Sequence, residues 1–433
     1  MLGKYKKFHF KKYDYHKIKS AYLPQKAFIS LCQDGNTVCK PCVRIGDFVK
    51  EGQVIAFNSE IGINIHSSIT GEVENFVECP MPNGTKESCI IIKMKGSLTV
   101  TGKIKELKKW KYDTSSKTLM NLKQRGVINT LDGKNCCIDK QIENAMDKEL
   151  VLGVVLFDSD KSSSVSSVAL KFYQDLIFEG CTIIAHAMQA KSIIFFCDTN
   201  EEKYLSQSSV TELLENIDYS FIQINSDKYP SASPFKLKTI LANSNTQDKE
   251  KITTNRIDID TTTALAAYNA IAQGLPITET LVEINGNKIH ENTVFLAKIG
   301  LPIQKLLEEC GGMHKHPAKI VVNGLLKGKA IKNLQTPVTK YLKTVTFVSS
   351  NDFQDETVTH CINCGLCRSV CPIGLHPDIF YASHKHGIGI SENSQRSAYL
   401  CDECGLCNTT CPSRLPLYQT ISKIKEDKNE QKI

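Results

Sequence analysis

Eight cysteines toward the C-terminal end carry the clearest chemical signal in this sequence. Cys361, Cys364, Cys367 and Cys371, followed by Pro372, read C-x2-C-x2-C-x3-C-P. Forty residues later the run recurs as Cys401, Cys404, Cys407 and Cys411, followed by Pro412. A tight loop of this kind wraps three corners of a [4Fe–4S] cubane, and the fourth cysteine of such a run ordinarily reaches the neighbouring cluster. The spacing therefore assigns Cys361, Cys364, Cys367 and Cys411 to one cluster, and Cys371, Cys401, Cys404 and Cys407 to the other. Gly365 and Gly405 let the backbone approach the sulfurs, and the prolines stiffen each exit. The competing reading, a pair of four-cysteine zinc sites, expects two C-x2-C pairs set well apart. Neither set leaves an open coordination position for a substrate, so the pair implies an electron relay and no catalytic residue is assigned.

The chain that must position this relay has 433 residues, room for about two to four domains. With 41% hydrophobic and 23% charged residues it can bury a core and is not disordered. A net charge of +7 is modest for this length and excludes a nucleic-acid-binding balance. No apolar run reaches the length of a membrane-spanning helix. Residues 1–19 are basic and aromatic rather than apolar, unlike a secretory signal. Without an export signal, 18 cysteines point to metal or redox chemistry, not to a disulfide framework.

From Phe28 the sequence alternates short β-rich pieces with Gly-Asp and Glu-Gly turns. The segment GDFVKEGQVIA, ending in HSSITGEV, looks like the barrel-sandwich of lipoyl and biotinyl carriers. A working carrier needs a lysine at its hairpin tip; residues 59–68 have none, so a structural β-domain is expected. Residues 150–200 read as strand, long helix and strand, a βαβ unit, and residues 203–222 as a further helix and strand. No G-x-G-x-x-G or Walker loop accompanies them. Residues 243–254 read as a loop and 258–273 as a helix. Strands around Asn285-Gly286, a helix over 302–310 closed by Gly311-Gly312, and another strand form a β-grasp-like module. The 29 residues between the cysteine runs favour a helical ferredoxin module over the short ββ type.

This order, with ISLCQDGNTVCKPCVRIGDFVKEGQVIA, HSSITGEV, KYPSASPFKLKTIL, GLPIQKLLEECGG, TPVTK and the twin cysteine runs, resembles the RnfC family, one of the component subunits of the Rnf electron-transport complex. More distantly it resembles the flavin-bearing NADH subunit of respiratory complex I. The resemblance implies a multidomain α/β-plus-β chain: a basic segment at 1–27, a barrel-sandwich at 28–100 and a Rossmann-like FMN/NADH-type α/β domain at 101–275. A β-grasp (SLBB-like) module at 276–340, a twin-cluster ferredoxin domain at 341–420 and a charged tail at 421–433 complete it. It implies a peripheral subunit on the cytoplasmic face of the inner membrane. Its partners would be other Rnf-type membrane and iron–sulfur subunits and a soluble carrier (ferredoxin, flavodoxin or NADH). Its work would be electron transfer between ferredoxin and NAD, or another carrier, coupled to ion translocation.

Departures from the family lie at its cofactor loops. GLGGAxFPxxxK aligns with residues 126–140, GVINTLDGKNCCIDK, and E-C-E-P-Y with residues 158–162, DSDKS. The Gly-Gly after Tyr-Pro-Gln becomes Ala232-Ser233, and the GGPMMG strand end becomes NGLLKG at 323–328; the N-terminal Gly-Gly-x-His-Pro is absent. Glycines there admit a phosphate or an isoalloxazine ring. Their loss argues that FMN and NADH binding is weakened or lost while every cluster ligand is kept. The alternatives are a complete FMN-dependent NADH:acceptor oxidoreductase subunit and a non-enzymatic docking scaffold.

The remaining motifs favour plain readings. Cys39-Lys40-Pro41-Cys42 has dithiol spacing but lies in the β-domain, away from a helix N-terminus. Adjacent Cys136 and Cys137 rarely share a metal, and Cys32, Cys79, Cys89, Cys181, Cys197 and Cys310 read as core residues. His314-Lys315-His316 and His384-Lys385-His386 lack a third ligand. Asp158 and Asp160, at a strand end, read as helix caps. Basic residues 4–19 and 102–111, the latter with the single Trp, read as a solvated face or a surface for anionic lipid or an acidic carrier.

Overall fold

In the computed structural model, residues 13–33, 37–60, 62–96, 107, 109–131, 136–143, 150–158, 160–198, 212–214, 217–224, 255–349, 357–371, 373–387, 396–401 and 403–430 are described. Apolar side chains at alternate positions fix the first body, since alternate residues of a strand share a face. Strands β1 (Ile18–Ser20), β2 (Lys26–Ser30), β3 (Lys40–Pro41), β4 (Phe48–Val49), β5 (Val54–Asn58), β6 (Ile63–His66), β7 (Gly71–Pro80) and β8 (Lys86–Met94) come first. All but β1 form a sandwich of two sheets, ordered β2-β8-β7-β4 and β3-β5-β6. Ile29, Ile55, Ile65, Val73, Ile90 and Ile92 fill the space between them.

The second body is parallel, and its two central strands, Leu150–Val155 and Ser192–Asp198, are buried throughout, as in a sheet covered on both faces. Helix α1 (Ser115–Gln124), β9 (Ile128–Asn129), β10 (Cys136–Cys137) and α2 (Ile138–Glu143) lead into it. Strand β11 (Leu150–Val155) passes through the 23-residue α3 (Val165–Ala187) to β12 (Ser192–Asp198). Strands β13 (Asp218–Ile224) and β14 (Asn255–Asp260) follow, then α4 (Thr261–Ile271). The sheet order is β13-β12-β11-β14 with every pair parallel. One expectation is corrected here: residues 258–260, expected to open a helix, are the end of strand β14. Ile257 and Ile259 face inward at period two, and α4 begins only at Thr261, where the Asp260 carboxylate caps the Thr263 N–H at 2.8 Å. Of the helix and strand expected over 203–222, residues 203–211 lie outside the described residues, 212–213 are helical and the strand is β13; the loop at 243–254 lies outside the described residues.

Strands β15 (Glu279–Gly286), β16 (Thr293–Lys298), β17 (Lys319–Val322), β18 (Lys329–Ile331) and β19 (Thr344–Val348), with α5 (Ile303–Glu309), build a third body. Its mixed sheet runs β1-β16-β15-β19-β17-β18, so β1 serves as an edge strand parallel to β16. The Phe28 N–H donates to the Gly300 carbonyl at 2.9 Å, and Lys298 pairs with both Glu51 (2.7 Å) and Glu279 (2.9 Å), which ties the sandwich to this sheet. Among the described residues four helices follow: α6 (Leu366–Ser369), α7 (Pro377–His386), α8 (Leu406–Thr410) and α9 (Leu417–Glu430). Among the described residues no helix is long and apolar enough to cross a membrane.

Candidate iron–sulfur centre

The two cysteine runs fold alike at their forty-residue offset. Asn363 and Glu403 are left-handed, with φ of 53° and 52°, and Gly365 and Gly405 share a φ of 73°. Each glycine is the N-cap of a short helix, α6 or α8. The Arg368 N–H closes on Gly365 O at 3.0 Å and the Asn408 N–H on Gly405 O at 3.1 Å. The Cys371 and Cys411 N–H groups then bond Arg368 O and Asn408 O at 3.2 and 3.3 Å. The short helix thereby carries each fourth cysteine away from the three before it.

All eight thiols are free of disulfides. Burial raises the Cys407 thiol, and Cys404, Cys401 and Cys371 add to the rise. Burial also raises Cys367, to about 11, with Asp378 next and Cys411 contributing. The fourth cysteine of each run thus feels the thiols of the other. Among the described residues no three ligating side chains are gathered closely enough for a single metal ion. Thiolates around a cubane stand further apart than around one tetrahedral zinc, and the raised thiols would be held deprotonated by cluster iron. The donor set, eight cysteines in two C-x2-C-x2-C-x3-C runs, fits two cubanes.

Secondary contacts order the loops. The Leu375 N–H donates to Cys371 Sγ at 3.2 Å and the Glu403 N–H to Cys401 Sγ at 3.4 Å, bonds of the kind that tune cluster potentials. Arg368 forks onto Asp378 at 2.9 and 3.1 Å, which holds that carboxyl below its ordinary range. Lys425 reaches the Cys401 carbonyl at 2.7 Å and Glu403 at 2.8 Å. The two runs differ in exposure: Cys361 and Cys364 are exposed, whereas Cys404, Cys407 and Cys411 are buried.

The second run sits on the body of the chain. A Cβ on Gly405 would stand 2.3 Å from the Leu326 carbonyl oxygen. The Leu326 N–H in turn donates to Asp160 Oδ2 at 2.7 Å, and the Leu325 N–H to Ser162 Oγ at 2.9 Å. Asp158 caps α3, accepting from the Ser166 and Ser167 N–H groups at 2.8 and 3.1 Å. Glu283 accepts from the Ser164 N–H and the Tyr15 hydroxyl, both at 2.7 Å, and burial pushes it up to about 7. Burial alone would push Asp260 up, but the Lys343 ammonium and Thr263 hold it low. The sequence showed Asp158 and Asp160 as caps; Glu283, Lys343 and Leu326 gave no signal, because their partners lie far along the chain.

Comparison with known proteins accounts for this combination. The profile of the RnfC barrel sandwich hybrid domain matches residues 6–97, and that of a 4Fe-4S dicluster domain matches residues 357–415. The C subunit of the ion-translocating oxidoreductase complex of Buchnera aphidicola subsp. Baizongia pistaciae is 27% identical over 86% of this chain and 73% of its own. The C subunit of the proton-translocating ferredoxin:NAD(+) oxidoreductase complex of Clostridium ljungdahlii is 24% identical over 85% of this chain and 81% of its own. Along most of its length the chain is thus similar to the RnfC family. Its cofactors are two [4Fe–4S] clusters, since the dicluster match spans both cysteine runs. A chain of the NAD+-reducing [NiFe]-hydrogenase in the air-oxidised state superposes with a TM-score of 0.47 at 10% identity, over 73% of this chain and 64% of that one.

The other motifs of this chain take structural places. Cys39 is buried in the sandwich core and Cys42 is exposed, with partial burial raising rather than lowering its thiol. The six cysteines expected in cores are all buried. His314 meets the His290 ring edge-on at 5.5 Å, and His384 and His386 lie in the last turn of α7, where positive charge suits the helix dipole. The side chains of Cys136 and Cys137 lie outside the described residues. Trp110 is buried and donates to Glu179 at 2.9 Å, so it is not part of an exposed basic face.

Proposed function

We infer that this chain is the electron-relaying RnfC subunit of a membrane-bound, Rnf-type ion-translocating oxidoreductase complex. The observation that carries the reading is the pair of matched cysteine loops, with Cys411 of the second packed in one hydrophobic cluster with Cys367 of the first, and Cys371 of the first packed on the same hydrophobic cluster as Cys401 of the second. Cys361, Cys364, Cys367 and Cys411 would hold one cluster, and Cys371, Cys401, Cys404 and Cys407 the other. When bound, such clusters store and pass single electrons. The residues around them hold the loops in place: Gly365 and Gly405 cap the short helices, and Arg368–Asp378 and Lys425–Glu403 clamp each loop to α7 or α9.

The finer architecture and setting belong to the same proposal. The all-parallel sheet is Rossmann-like and the third body β-grasp-like, with divisions near residues 100, 275 and 340. The chain would sit peripherally on the cytoplasmic face of the inner membrane. Its partners would be the other subunits of the complex and a redox carrier, as the relative named for ferredoxin and NAD(+) implies.

Anaerobic purification with iron and sulfide quantified, followed by dithionite reduction and EPR, tests the reading. Two cubanes require about eight irons and eight sulfides per chain and two interacting spin systems. Stoichiometric zinc, or a single cluster, would sink it.

A further inference from the structure

An open parallel sheet binds nucleotides in the crevice beyond the carboxyl ends of its strands, where the strand order reverses. Here the chain steps outward from β11 to β12 and β13, then returns to β14 on the other side of β11. The switch point therefore lies between β11 and β14, flanked by the N-termini of α3 and α4. Those N-termini are where a phosphate of FMN or NADH would be received.

Both are already filled by the chain's own carboxylates. Asp158 takes the Ser166 and Ser167 N–H groups, Glu283 takes that of Ser164, and Asp260 takes that of Thr263. Asp160 stands beside them, and all of these but Asp158 are buried. Lys343 pairs with Asp260, and Arg256 forks onto Asp258 on β14. With Glu283 holding its proton up to about 7 and Lys343 neutralising Asp260, the Asp158 and Asp160 carboxylates still oppose the negative charge a phosphate would bring. The neighbouring cavity, lined by Gly126, Thr130, Thr262, Glu279 and Lys340 among others, measures about 50 Å³, room for a few waters. These residues do not fit a flavin or a nicotinamide dinucleotide at this place.

They fit a different task. Asp160 Oδ1 accepts from the Ser162 N–H and hydroxyl at 3.0 and 2.7 Å, which aims Oδ2 at the Leu326 N–H. Gly324, with a φ of 94°, lies so close that a Cβ there would be 2.3 Å from Asp160 Oδ2. Asn323 Oδ1 accepts from the Lys343 N–H at 2.8 Å, joining the same loop to the lysine that neutralises Asp260. The Leu326 carbonyl, held by this web, meets Gly405. We propose that the strand-end crevice is a strut and not a nucleotide pocket: through Asp160, a positioning residue, it seats loop 323–328 beneath Gly405 and so fixes the second cysteine loop.

The proposal rests on the two-cluster reading, and the test separates the two. The full chain, loaded anaerobically, is compared with Asp160→Asn and Gly405→Ala by iron content, EPR, far-UV circular dichroism and equilibrium titration with FMN. Wild type is expected to hold both cubanes, to purify without flavin and to leave FMN fluorescence unquenched. Each variant is expected to fall toward half the iron, with one EPR signal lost and the circular dichroism unchanged. If Asp160→Asn fails to fold, Gly405→Ala is judged against Gly365→Ala, which carries the same backbone strain at φ 73° but meets nothing within 4 Å: the strut requires the larger loss from Gly405→Ala, and equal losses overturn it. Stoichiometric FMN in the wild type, or variants that keep all iron and both signals, overturns the strut. A wild type that assembles no cubane overturns the functional reading, and the strut with it.

Discussion

The Tyr15 hydroxyl donates a 2.7 Å hydrogen bond to Glu283, 268 residues further on. That bond joins the N-terminal segment to the centre of the third sheet, one strand inward from β1's neighbour β16. Lys19 adds an ion pair with Glu291 at 2.6 Å, and the Tyr22 N–H reaches Glu309 at 3.0 Å. The segment before the sandwich is therefore an integral strand of another body, fixed at a carboxyl that burial has made hard to ionise.

That carboxyl gives the chain a pH dependence of definite sign. Unfolded, Glu283 ionises near its ordinary value of 4.5; folded, it keeps its proton up to about 7. Its contribution is intact below the unfolded value and is lost as pH rises through this window, because the unfolded chain releases a proton that the folded chain retains. The shift corresponds to a loss on the order of 3 kcal/mol. The groups facing it are Tyr15, Ser164, Asn285 and, at longer range, Asp158. Thermal midpoints of wild type and Glu283→Gln, measured anaerobically from pH 5 to 7.5, should diverge as pH rises, with the wild type falling further. Parallel curves would show that Glu283 does not titrate in this window.

Crossed ligation makes a prediction about pairs of substitutions. Cys361→Ser and Cys411→Ser should each remove the same cubane, so the double variant should keep about as much iron as either alone. Cys361→Ser with Cys371→Ser strikes both cubanes and should leave almost none. Removing ligands of one site is non-additive and of separate sites additive, the logic of a double-mutant cycle. If each run held its own cluster the pattern would reverse: Cys361→Ser with Cys371→Ser would then be no worse than one change. Iron content and EPR of the variants decide between the two patterns.

What the sequence made legible was local. Three thiols at two-residue spacings, and strands such as Leu150–Val155, identify themselves within a dozen residues. The end of strand β14 was misread because the helix-favouring run after it, TTTALAAYNAI, drew the helix upstream to Asp258. The edge strand Ile18–Ser20 was missed for a different reason: its parallel partner lies more than 270 residues away, and parallel pairing leaves no turn signal between them. Asp160 was read as a cap, yet its decisive partner is Leu326, in a loop of another body. The two cysteine runs were thus visible from the start, but the surface on which they sit was not.

The exposed first run predicts where a partner meets this chain. Ile362, between Cys361 and Cys364, is 65% exposed, and Val358 just before it is 57% exposed. Residues 357–371 carry no carboxylate and a single charge, Arg368. Electron transfer needs close approach, and an apolar rim around exposed ligand cysteines is the chemistry of a desolvated contact with another redox subunit. Ile362→Glu would place a charge in that contact. It touches no buried group, so both cubanes and the thermal midpoint should stay as in wild type. Association with the rest of the complex should weaken by about tenfold or more. Lys423→Glu, exposed on α9, serves as the control and should leave association unchanged. Co-purification of the tagged chain with its complex, measured beside the iron content of each variant, reads the result. Equal recovery of the complex by Ile362→Glu and wild type would move the contact away from the first cysteine run.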